Sequence, residues 1–477
     1  MSILRSGTIV GVATPAGRGG LAVVRISGPE ALAVARLLLP AAALADPVDS
    51  HRARLATVQW PQISPMDQQT PGKAESSVCE VAGVERSPDE LDGGAALDQV
   101  LLLPMLAPAS YTGEDVVEFH CHGGLMPARL IMAACQAAGA RAAGPGEFTR
   151  RAFVNGRLSL AQAEAVADLI AAEHTATARA ALAQLRGGLN RELAAIENPL
   201  RELLARLEGS LEFSETEAIG PPPQDVRATL LAARRDVERL LSFGVAGRQL
   251  REGVQVVLTG PPNAGKSSLF NALLGQARAL IDSEPGTTRD VITASLELGG
   301  VLFVLHDTAG LRDEASGVEA LGIDLARERL AAADIVLDLR RADSAGWAQA
   351  REAVFPSSAT VLKVWTMADL RANMGGIATS AKTGEGIAEL RSRLLVEVSR
   401  GGVEQSIAQG VLLNQRHQDR LRGCLGELAE LLAETRAGDE VVASLLGAAL
   451  QDLGAVSGRV FSEQMLDEIF SRFCVGK

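Results

Sequence analysis

The segment with the clearest chemical meaning runs from Gly260 to Ser267 and reads GPPNAGKS. It matches the GxxxxGKS/T pattern of phosphate-binding loops, and its context fits, because a predicted strand, Val254–Thr259, precedes it and a predicted helix opens at Ser268. In such a loop, backbone N–H groups point at phosphate oxygens, Lys266 neutralises their charge and the Ser267 hydroxyl coordinates Mg²⁺. The sequence therefore predicts a nucleoside triphosphate site.

Two further segments would complete this site around the γ-phosphate. Asp307 to Gly310 reads DTAG and follows the strand-like run Val301–Leu305, so Asp307 would hold Mg²⁺ through water and Gly310 would offer its N–H group. Thr288 lies in the segment GTTRD between the two motifs and is the expected second hydroxyl ligand of Mg²⁺. An ordinary turn with a helix cap is the alternative interpretation of GTTRD.

The choice of base depends on the segment TMAD, which stands where a guanine-binding loop has NKxD. Asp369 can accept hydrogen bonds from guanine N1 and N2, while Thr366 and Met367 replace the Asn that braces the loop and the Lys whose stem covers the base. Met367 could cover the base with its own apolar stem. Ser380-Ala381-Lys382 favours GTP over ATP by placing backbone N–H groups near guanine O6. The residues expected to contact the nucleotide are Asn263, Ala264, Gly265, Lys266, Ser267, Ser268, Thr287, Thr288, Asp307, Thr308, Ala309, Gly310, Asp369, Ser380, Ala381 and Lys382.

The residue that orients the attacking water must differ from that of small GTPases. Leu311 stands where those enzymes place a glutamine, and leucine cannot orient water. Glu319 is the candidate for this role, and an exposed helix carboxylate is the alternative interpretation of it.

Two cysteine-containing segments could also do chemistry. His120-Cys121-His122 could bind a metal, but no further Cys/His pair stands at ligand spacing, which favours a buried or hydrogen-bonded role. The segment Cys474–Lys477 is not a prenylation motif, because Gly476 is not aliphatic; its thiol and ammonium groups could instead line a pocket.

Length and charge limit the protein class. The 477 residues are enough for about three domains, and a net charge of −12 argues against a polycation that coats nucleic acid or membranes. Five scattered cysteines without CxxC spacing fit a reducing, cytoplasmic location. We expect neither a signal peptide nor a membrane-spanning helix, because Arg36 and Pro40 interrupt the most apolar stretch, Ala31 to Ala45.

The hydrophobic patterns divide the chain into four segments. Residues 1–155 mix strand-like and helical runs, with a long surface loop from Pro61 to Gly94, and predict an α+β domain. Residues 156–250 and 393–477 predict one all-α domain built from two segments, in which Asn198-Pro199 kinks or divides a helix. Residues 251–392 alternate strands and helices and predict an inserted α/β P-loop domain with a doubly wound parallel sheet. The predicted strands are Thr8–Val12, Leu21–Ile26, Asp98–Leu103, Asp115–Phe119, Val254–Thr259, Val301–Leu305, Ile335–Leu339, Thr360–Val364 and Gly376–Thr379.

Beyond the P-loop, several motifs are specific to one family. They read ATPAGRGG from Ala13, SYTGED from Ser110, HGG from His122, PGEFTRRAF from Pro145, LAQAEA from Leu160 and FCVGK from Phe473. With the inserted GTPase unit, they cover nearly the whole chain, which resembles the tRNA-modifying GTPase family MnmE (TrmE). The family usually ends in FCIGK, so Val475 is a mild variant.

The resemblance implies a function in two parts. The N-terminal domain would dimerise the protein and bind a tetrahydrofolate derivative, 5,10-methylene or 5-formyl, through Arg25, Glu118, Arg157 and Lys477. With MnmG (GidA), a flavoprotein that carries FAD and uses NADH, the homodimer would form a heterotetramer. This complex would install carboxymethylaminomethyl or aminomethyl groups on the wobble uridine of certain tRNAs.

The resemblance also implies a K⁺-dependent GTPase mechanism. K⁺ would take the place of an arginine finger, with ligands at Asn263, Asp282, Glu284 and Thr287, and Glu319 matches the family's water-orienting glutamate. Asp282 differs from the Ser or Thr more common in the family. Two other functions remain open: a stand-alone ATPase, which the Thr366-Met367 change allows, and a regulatory switch that does not itself modify tRNA.

Overall fold

The computed structural model describes residues 7–61, 94–213, 224–275, 292–307, 328–343, 355–370, 376–433 and 439–476. These residues form two compact units. Unit 1 contains residues 1–163 and 461–477, and unit 2 contains residues 164–460. The predicted surface loop lies almost wholly outside the described residues.

Unit 1 is built on a six-stranded sheet in the order β3-β4-β5-β2-β1-β6. Its strands are antiparallel except for the parallel pair β1 and β6. One face carries the buried core, on which α1 and α2 pack. The elements are β1 (Ile9–Val12), β2 (Leu21–Ser27), α1 (Ala31–Leu37), β3 (Arg54–Gln59), β4 (Ala96–Met105), β5 (Val116–His122), α2 (Leu125–Ala137), β6 (Arg141–Ala142) and α3 (Glu147–Val154).

Two strands of this sheet were not predicted. In β3 the inward residues are only Ala56 and Val58, whereas Leu55 points outward and is 65% exposed, so the alternation of polar and apolar residues is lost. The β6 strand has two residues, too few to form a pattern. The other four predicted strands are present, as are the helices that the sequence predicts near Glu30–Leu39 and Leu125–Ala138, with ends shifted by a few residues.

The α4 helix (Leu160–Ala171) and the helices of unit 2 form the all-α part of the fold. The helices of unit 2 are α5 (Thr175–Leu185), α6 (Gly188–Phe213), α7 (Gln224–Glu252), α9 (Ile387–Arg400), α10 (Val403–Gln409), α11 (Gln415–Ala433) and α12 (Asp439–Ser457), with α8 in the inserted sheet domain. Pro199 lies inside α6, so it does not divide the helix. The buried leucine stripe of α6 packs against α7 and α12.

One described helix segment, Glu440–Ser457 of α12, has the length and composition to cross a membrane. The same features suit a helix that packs inside a domain, and α12 packs against α6 and α11. Ala31 to Ala45, selected from the sequence as the most apolar stretch, contains the short helix α1 instead.

The inserted domain of unit 2 has a six-stranded sheet in the order β12-β11-β10-β7-β9-β8. Its elements are β7 (Val254–Thr259), α8 (Lys266–Leu274), β8 (Ile292–Leu298), β9 (Val301–Asp307), β10 (Ile335–Arg341), β11 (Thr360–Thr366) and β12 (Ile377–Ala378). Five strands are parallel, as predicted, but β8 was not predicted and pairs antiparallel with β9 at the sheet edge. The predicted fold class, an α+β part, an all-α part and an inserted α/β domain, is confirmed.

Side chains of α7 join the helices to the inserted sheet at the N-terminal ends of its strands. Asp334, just before β10, accepts hydrogen bonds from Arg248, from Gln249 Nε2 at 3.0 Å and from the backbone N–H of Gln255 at 2.8 Å. Arg251 pairs with Asp168 through two hydrogen bonds of 2.9 and 2.8 Å. Because the P-loop follows β7 at its other end, this joint lies opposite the nucleotide site.

A buried charged cluster connects α4 to α11. Glu164 accepts hydrogen bonds from Arg416 Nε at 3.0 Å and Nη2 at 2.8 Å, and His417 Nε2 lies 2.7 Å from its carboxylate. Burial would raise the pKa of Glu164, but His417 and Arg416 outweigh burial and hold this pKa well below its ordinary range. Burial lowers the pKa of His417.

We expect this cluster to make unit 2 sensitive to acid. Because the folded-state pKa of Glu164 is depressed, its stabilisation is present above the unfolded pKa of about 4.3 and is lost as the pH falls below that value. His417 adds to the loss below about pH 6.5, because the unfolded chain binds that proton more readily. Glu164→Gln should lower the free energy of unfolding by about 3 kcal/mol at pH 7.5, because Arg416 loses its buried partner.

Thermal melting of the wild type and of Glu164→Gln between pH 2.5 and 7.5 measures this effect. The difference in melting temperature should stay nearly constant above about pH 5 and shrink as the pH falls through the unfolded pKa of about 4.3, where the unfolded wild type begins to take up the proton. A difference that stays constant down to pH 2.5 would contradict the assigned role of the carboxylate.

Candidate functional site

The phosphate-binding loop joins β7 to α8, at the carboxyl end of the central parallel strand. The α8 helix begins at Lys266, two residues earlier than predicted, so its N-terminal N–H groups face the loop. Lys266 Nζ donates hydrogen bonds to the carbonyl oxygens of Gly260 and Pro261, both at 3.1 Å. The ammonium group is thus held across the loop, where phosphate oxygens would replace these carbonyl partners.

Ser267 and Asp307 meet at the predicted Mg²⁺ position. The Ser267 hydroxyl donates a 2.6 Å hydrogen bond to Asp307 Oδ2, and Asp307 is only 1% exposed at the end of β9. A hydroxyl and a carboxylate oxygen are hard ligands that suit Mg²⁺. The parallel pairing of β7 with β9 brings these two motifs together.

A cavity of about 300 Å³ lies beside the loop, at the end of β11. Ser380 donates a 2.6 Å hydrogen bond to Asp369 Oδ1, and this bond lowers the pKa of Asp369, which therefore carries its charge at neutral pH. The cavity unites the predicted base-recognition residues with part of the loop. Its lining residues are Gly265, Ser268, Leu269, Thr366, Met367, Asp369, Leu370, Thr379, Ser380, Ala381 and Lys382.

Thr366 contacts the phosphate loop directly. Its hydroxyl donates a 2.7 Å hydrogen bond to the carbonyl oxygen of Ala264 and lies 3.2 Å from that of Arg340. The sequence shows only that Thr366 stands where guanine-binding loops have an Asn; the structure shows that its hydroxyl contacts the loop.

The structure describes only part of the predicted nucleotide site. Asn263, Ala264 and Ser268 stand on the loop and on the first turn of α8, and Ala381 and Lys382 border the cavity. Nine of the predicted site residues lie outside the described residues. They are Asp282, Glu284, Thr287, Thr288, Thr308, Ala309, Gly310, Glu319 and, at the C-terminal end, Lys477.

A second cluster lies in unit 1, on the sheet face opposite the core, and is called the Arg25 pocket. Arg25 donates a 2.7 Å hydrogen bond to Glu118 Oε1, and His120 Nε2 lies 2.9 Å from Glu118 Oε2. The Arg25 guanidinium lies 5.6 Å from the ring centroids of Tyr111 and Phe148. The pocket thus combines a cation, a carboxylate and two aromatic faces, which suits a flat, polar heterocycle with an anionic tail.

Tyr111 was not selected as a site residue from the sequence. Its hydroxyl shares a 2.9 Å hydrogen bond with Thr149, which holds the ring beside Arg25. Burial raises the pKa of Tyr111, so the ring stays a neutral phenol. The available signal was its position as the single tyrosine of the chain, inside the motif SYTGED.

Residues 471–476, called the tail, return to the sheet beside the Arg25 pocket. Val475 forms an isolated β-bridge with Pro145, and the Gly146 N–H group donates to the Cys474 carbonyl oxygen at 3.3 Å. A Cβ added to Gly11 would come within 3.2 Å of Gly476 Cα, and Gly11 pairs with Arg25 in the sheet. The described end of the tail, Gly476, therefore lies against β1, which pairs with the strand that carries Arg25.

Arg157 and Cys474 complete the predicted residues of unit 1. The aliphatic stem of Arg157 lies against Gly113, in the SYTGED segment, where a Cβ on Gly113 would come within 3.3 Å of it. The Cys474 side chain is exposed. No contact in the described residues assigns that thiol a reaction.

The three residues of the HCH segment do not converge. Strand alternation in β5 turns Cys121 into the core, where its thiol lies 3.3 Å from the Ala22 carbonyl oxygen. His120 and His122 point to the other face and contact different carboxylates, Glu118 and Asp98. Throughout the part of the chain that the structure describes, no three His, Cys, Asp or Glu residues form a group that could hold a metal ion.

A larger cavity of about 390 Å³ lies in unit 2 between the β8–β9 turn and helices α5, α9 and α10. The Gly300 carbonyl oxygen accepts a 3.0 Å hydrogen bond from the Ala176 N–H group at this turn. None of the predicted nucleotide residues lines it, so we place the chemistry at the smaller cavity beside the P-loop.

The sheet order, the P-loop and the adjoining Asp369 cavity define a P-loop GTPase. Family models match the chain in two segments: GTP-binding protein TrmE N-terminus over residues 8–157 and MnmE helical domain over residues 160–474. The tRNA modification GTPase MnmE of Symbiobacterium thermophilum is 40% identical and covers 98% of this chain and 99% of its own length. The chain therefore belongs to the MnmE family of tRNA modification GTPases.

Other relatives agree with this assignment. The MnmE proteins of Myxococcus xanthus and Parvibaculum lavamentivorans are 40% and 38% identical, each over 98% of this chain. Among solved structures, the G domain of the T. maritima FeoB iron transporter is 24% identical over 30% of this chain, with a TM-score of 0.23. As a member of the MnmE family, the chain is a GTP hydrolase of the tRNA-modification class.

Proposed function

We propose that the protein couples GTP hydrolysis to the formation of 5-carboxymethylaminomethyl or aminomethyl uridine at the wobble position of certain tRNAs. The observation that carries the nucleotide part is the Ser267–Asp307 hydrogen bond beside the Asp369 cavity. In this proposal the two residues hold Mg²⁺ and the neighbouring cavity binds the base, so that both belong to one nucleotide site. Membership of the MnmE family supports the tRNA part.

In this proposal the Arg25 pocket binds the tetrahydrofolate derivative that supplies the one-carbon unit. Arg25 and Arg157 would bind anionic groups, and the Tyr111 and Phe148 rings would contact the flat ring system. Glu118 would accept hydrogen bonds from the N–H groups of that ring. Lys477 would add a third cation, since the tail runs beside Gly11, which pairs with Arg25.

For hydrolysis we propose that Glu319 orients the water and that K⁺ stabilises charge on the transferring phosphoryl group. The ligands of K⁺ would be Asn263, Asp282, Glu284 and Thr287, and Thr288 would join Ser267 on Mg²⁺. The position of Asn263 is consistent with its role as a K⁺ ligand, because its side chain is exposed on the P-loop, where its φ is 59°.

The proposed assembly is a cytoplasmic homodimer in which nucleotide-driven association of the two GTPase domains gates the modification. A flavoprotein partner, MnmG, would supply FAD chemistry with NADH and form a heterotetramer with the dimer. The net charge of −12 is consistent with tRNA being held through the complex and not by this chain alone. We propose domain boundaries at residues 155, 250 and 392.

Phosphate release by the purified protein, with GTP or ATP and in K⁺ or Na⁺, tests the GTPase part. We expect GTP turnover in K⁺ to exceed that in Na⁺ by at least about tenfold, the equivalent of about 1.4 kcal/mol of barrier. ATP turnover should stay near background. Equal rates in the two cations would contradict the K⁺ mechanism, and preference for ATP would contradict the base assignment.

Nucleoside analysis of tRNA from a strain that lacks the gene tests the modification part. We expect the modified wobble uridine to be absent and to return with the wild-type gene. Intact modification would instead favour a regulatory GTPase.

A further inference from the structure

The base-recognition loop and the phosphate loop are joined through the last residue of β11. Thr366 is 4% exposed, and its hydroxyl donates to the Ala264 carbonyl oxygen at 2.7 Å. Its own carbonyl oxygen accepts a 2.9 Å hydrogen bond from the Ala342 N–H group, and parallel pairing opposes it to Arg341. Backbone hydrogen bonding therefore holds Thr366 in place, and its hydroxyl contacts the phosphate loop.

The next residue, Met367, has a backbone conformation that side chains rarely adopt. Its φ is 56°, and outside glycine only His51, Asn263 and Met367 have positive φ in the described ranges. Asn263 and Met367 both belong to the nucleotide site, one on each loop. Such conformations cost about 1–3 kcal/mol and persist where the surrounding structure imposes them.

Met367 turns its side chain toward the phosphate loop. A Cβ placed on Gly265 would lie 3.7 Å from the Met367 methyl carbon, and both residues line the 300 Å³ cavity. The thioether stem is apolar and polarisable, so it can cover one face of a purine ring as an alkyl stem does. Asp369, two residues on, faces the same cavity with its carboxylate held by Ser380.

We propose that Thr366 and Met367 form an uncharged replacement for the Asn-Lys pair of guanine-binding loops. In it, Thr366 positions the phosphate loop through Ala264, and Met367 covers the guanine base. This proposal rests on guanine nucleotide being the ligand. It assigns affinity to the hydroxyl of Thr366, base contact to the thioether of Met367 and base identity to Asp369.

The Thr366 hydroxyl would act by pre-organisation. Without it, the Ala264 carbonyl loses its buried partner and the loop samples other conformations. A smaller fraction of the protein is then in the conformation that binds nucleotide, so the apparent Kd rises. The loss applies to GDP and GTP alike, because the Ala264 carbonyl lies on the loop and not on the ligand. Thr366→Val, which keeps the shape but removes the hydroxyl, should raise the Kd for GDP about tenfold.

Titration of the full-length protein with a fluorescent GDP analogue tests the positioning role of Thr366. Thr366→Ser keeps the hydroxyl and should bind within about twofold of wild type. Thr177→Val is the matched control, because Thr177 also donates a buried hydroxyl, to the Leu250 carbonyl oxygen at 2.5 Å, away from the nucleotide site. We expect Thr177→Val to bind GDP as wild type does.

Three outcomes would overturn the Thr366 assignment. They are unchanged affinity in Thr366→Val, equal loss in Thr366→Val and Thr366→Ser, and equal loss in Thr366→Val and Thr177→Val. Melting temperatures without nucleotide establish that each variant is folded. If wild type itself shows no preference for GDP over ADP, the guanine assignment fails, and that result is distinct from all three.

Met367→Ala and Met367→Leu test the base cover. Both keep a side chain at positive φ, so the backbone strain is matched, but only leucine retains an apolar stem. We expect Met367→Ala to weaken GDP binding about fivefold and Met367→Leu to stay close to wild type. Equal affinities of the two variants would overturn the role of Met367.

Discussion

Lys266→Ala is expected to lower the affinity for GTP about 1,000-fold. Lys266 Nζ is held across the P-loop by the carbonyl oxygens of Gly260 and Pro261, on the path that phosphate oxygens would occupy. Two charge-assisted hydrogen bonds to phosphate are together worth about 4 kcal/mol, which corresponds to this loss. GTP hydrolysis at micromolar substrate should fall to background for the same reason.

Calorimetric titration of GTP into the full-length protein measures the Lys266 effect. Lys363→Ala is the matched control, because Lys363 is exposed on β11 in the same domain and does not line the cavity. The control should bind GTP as wild type does. Binding by Lys266→Ala within tenfold of wild type would mean that the phosphates lie elsewhere.

Gly476→Ala is expected to weaken folate binding about 100-fold while GTP hydrolysis continues. Gly476 has φ 96°, and a Cβ there would lie 2.0 Å from the Val12 carbonyl oxygen, so the substituted tail cannot stay on β1. Displacement of the tail removes the proposed Lys477 contact. Loss of one charge-assisted hydrogen bond, worth about 2.7 kcal/mol, would raise the Kd for 5-formyltetrahydrofolate by about 100-fold.

Gly139→Ala in the same unit is the matched control, because it introduces similar backbone strain without the steric clash that an added Cβ makes at Gly476. Gly139 has φ 105°, close to that of Gly476, but nothing lies within 4 Å of an added Cβ. We expect Gly139→Ala to keep folate affinity, as measured by the change in folate fluorescence on binding. An equal loss of folate affinity in Gly139→Ala and Gly476→Ala would show that backbone strain in unit 1, and not displacement of the tail from β1, weakens folate binding.

The nucleotide site was predictable because its signals are local. A P-loop is a run of eight residues, and the buried run Val254–Thr259 before it can only be a central strand or a buried helix. The glycine spacing decides for the strand. Parallel pairing then places the carboxyl ends of β7 and β9 together, so the meeting of Ser267 and Asp307 follows from the sequence pattern.

Features that depend on tertiary contacts were missed. The Thr366 brace depends on which carbonyl oxygen faces the end of β11, and no sequence spacing encodes that. The β3 strand escaped because its inward residues are small and Leu55 faces outward, so its burial comes from neighbouring strands. Similarly, Pro199 allows either a kink or a division of the helix, and packing of α6 against α7 and α12 keeps one undivided helix.

The contact of the tail with β1 has a consequence for folding during protein synthesis. Unit 1 closes with residues 461–477, which leave the ribosome only after the whole of residues 164–460 has been made. Domains fold as units while the chain emerges from the ribosome. Until residues 461–477 have been made, the sheet face that carries Arg25 therefore lacks the contact with the tail. We expect a released chain that stops before Phe461 to lack this contact, although every residue of the P-loop is present.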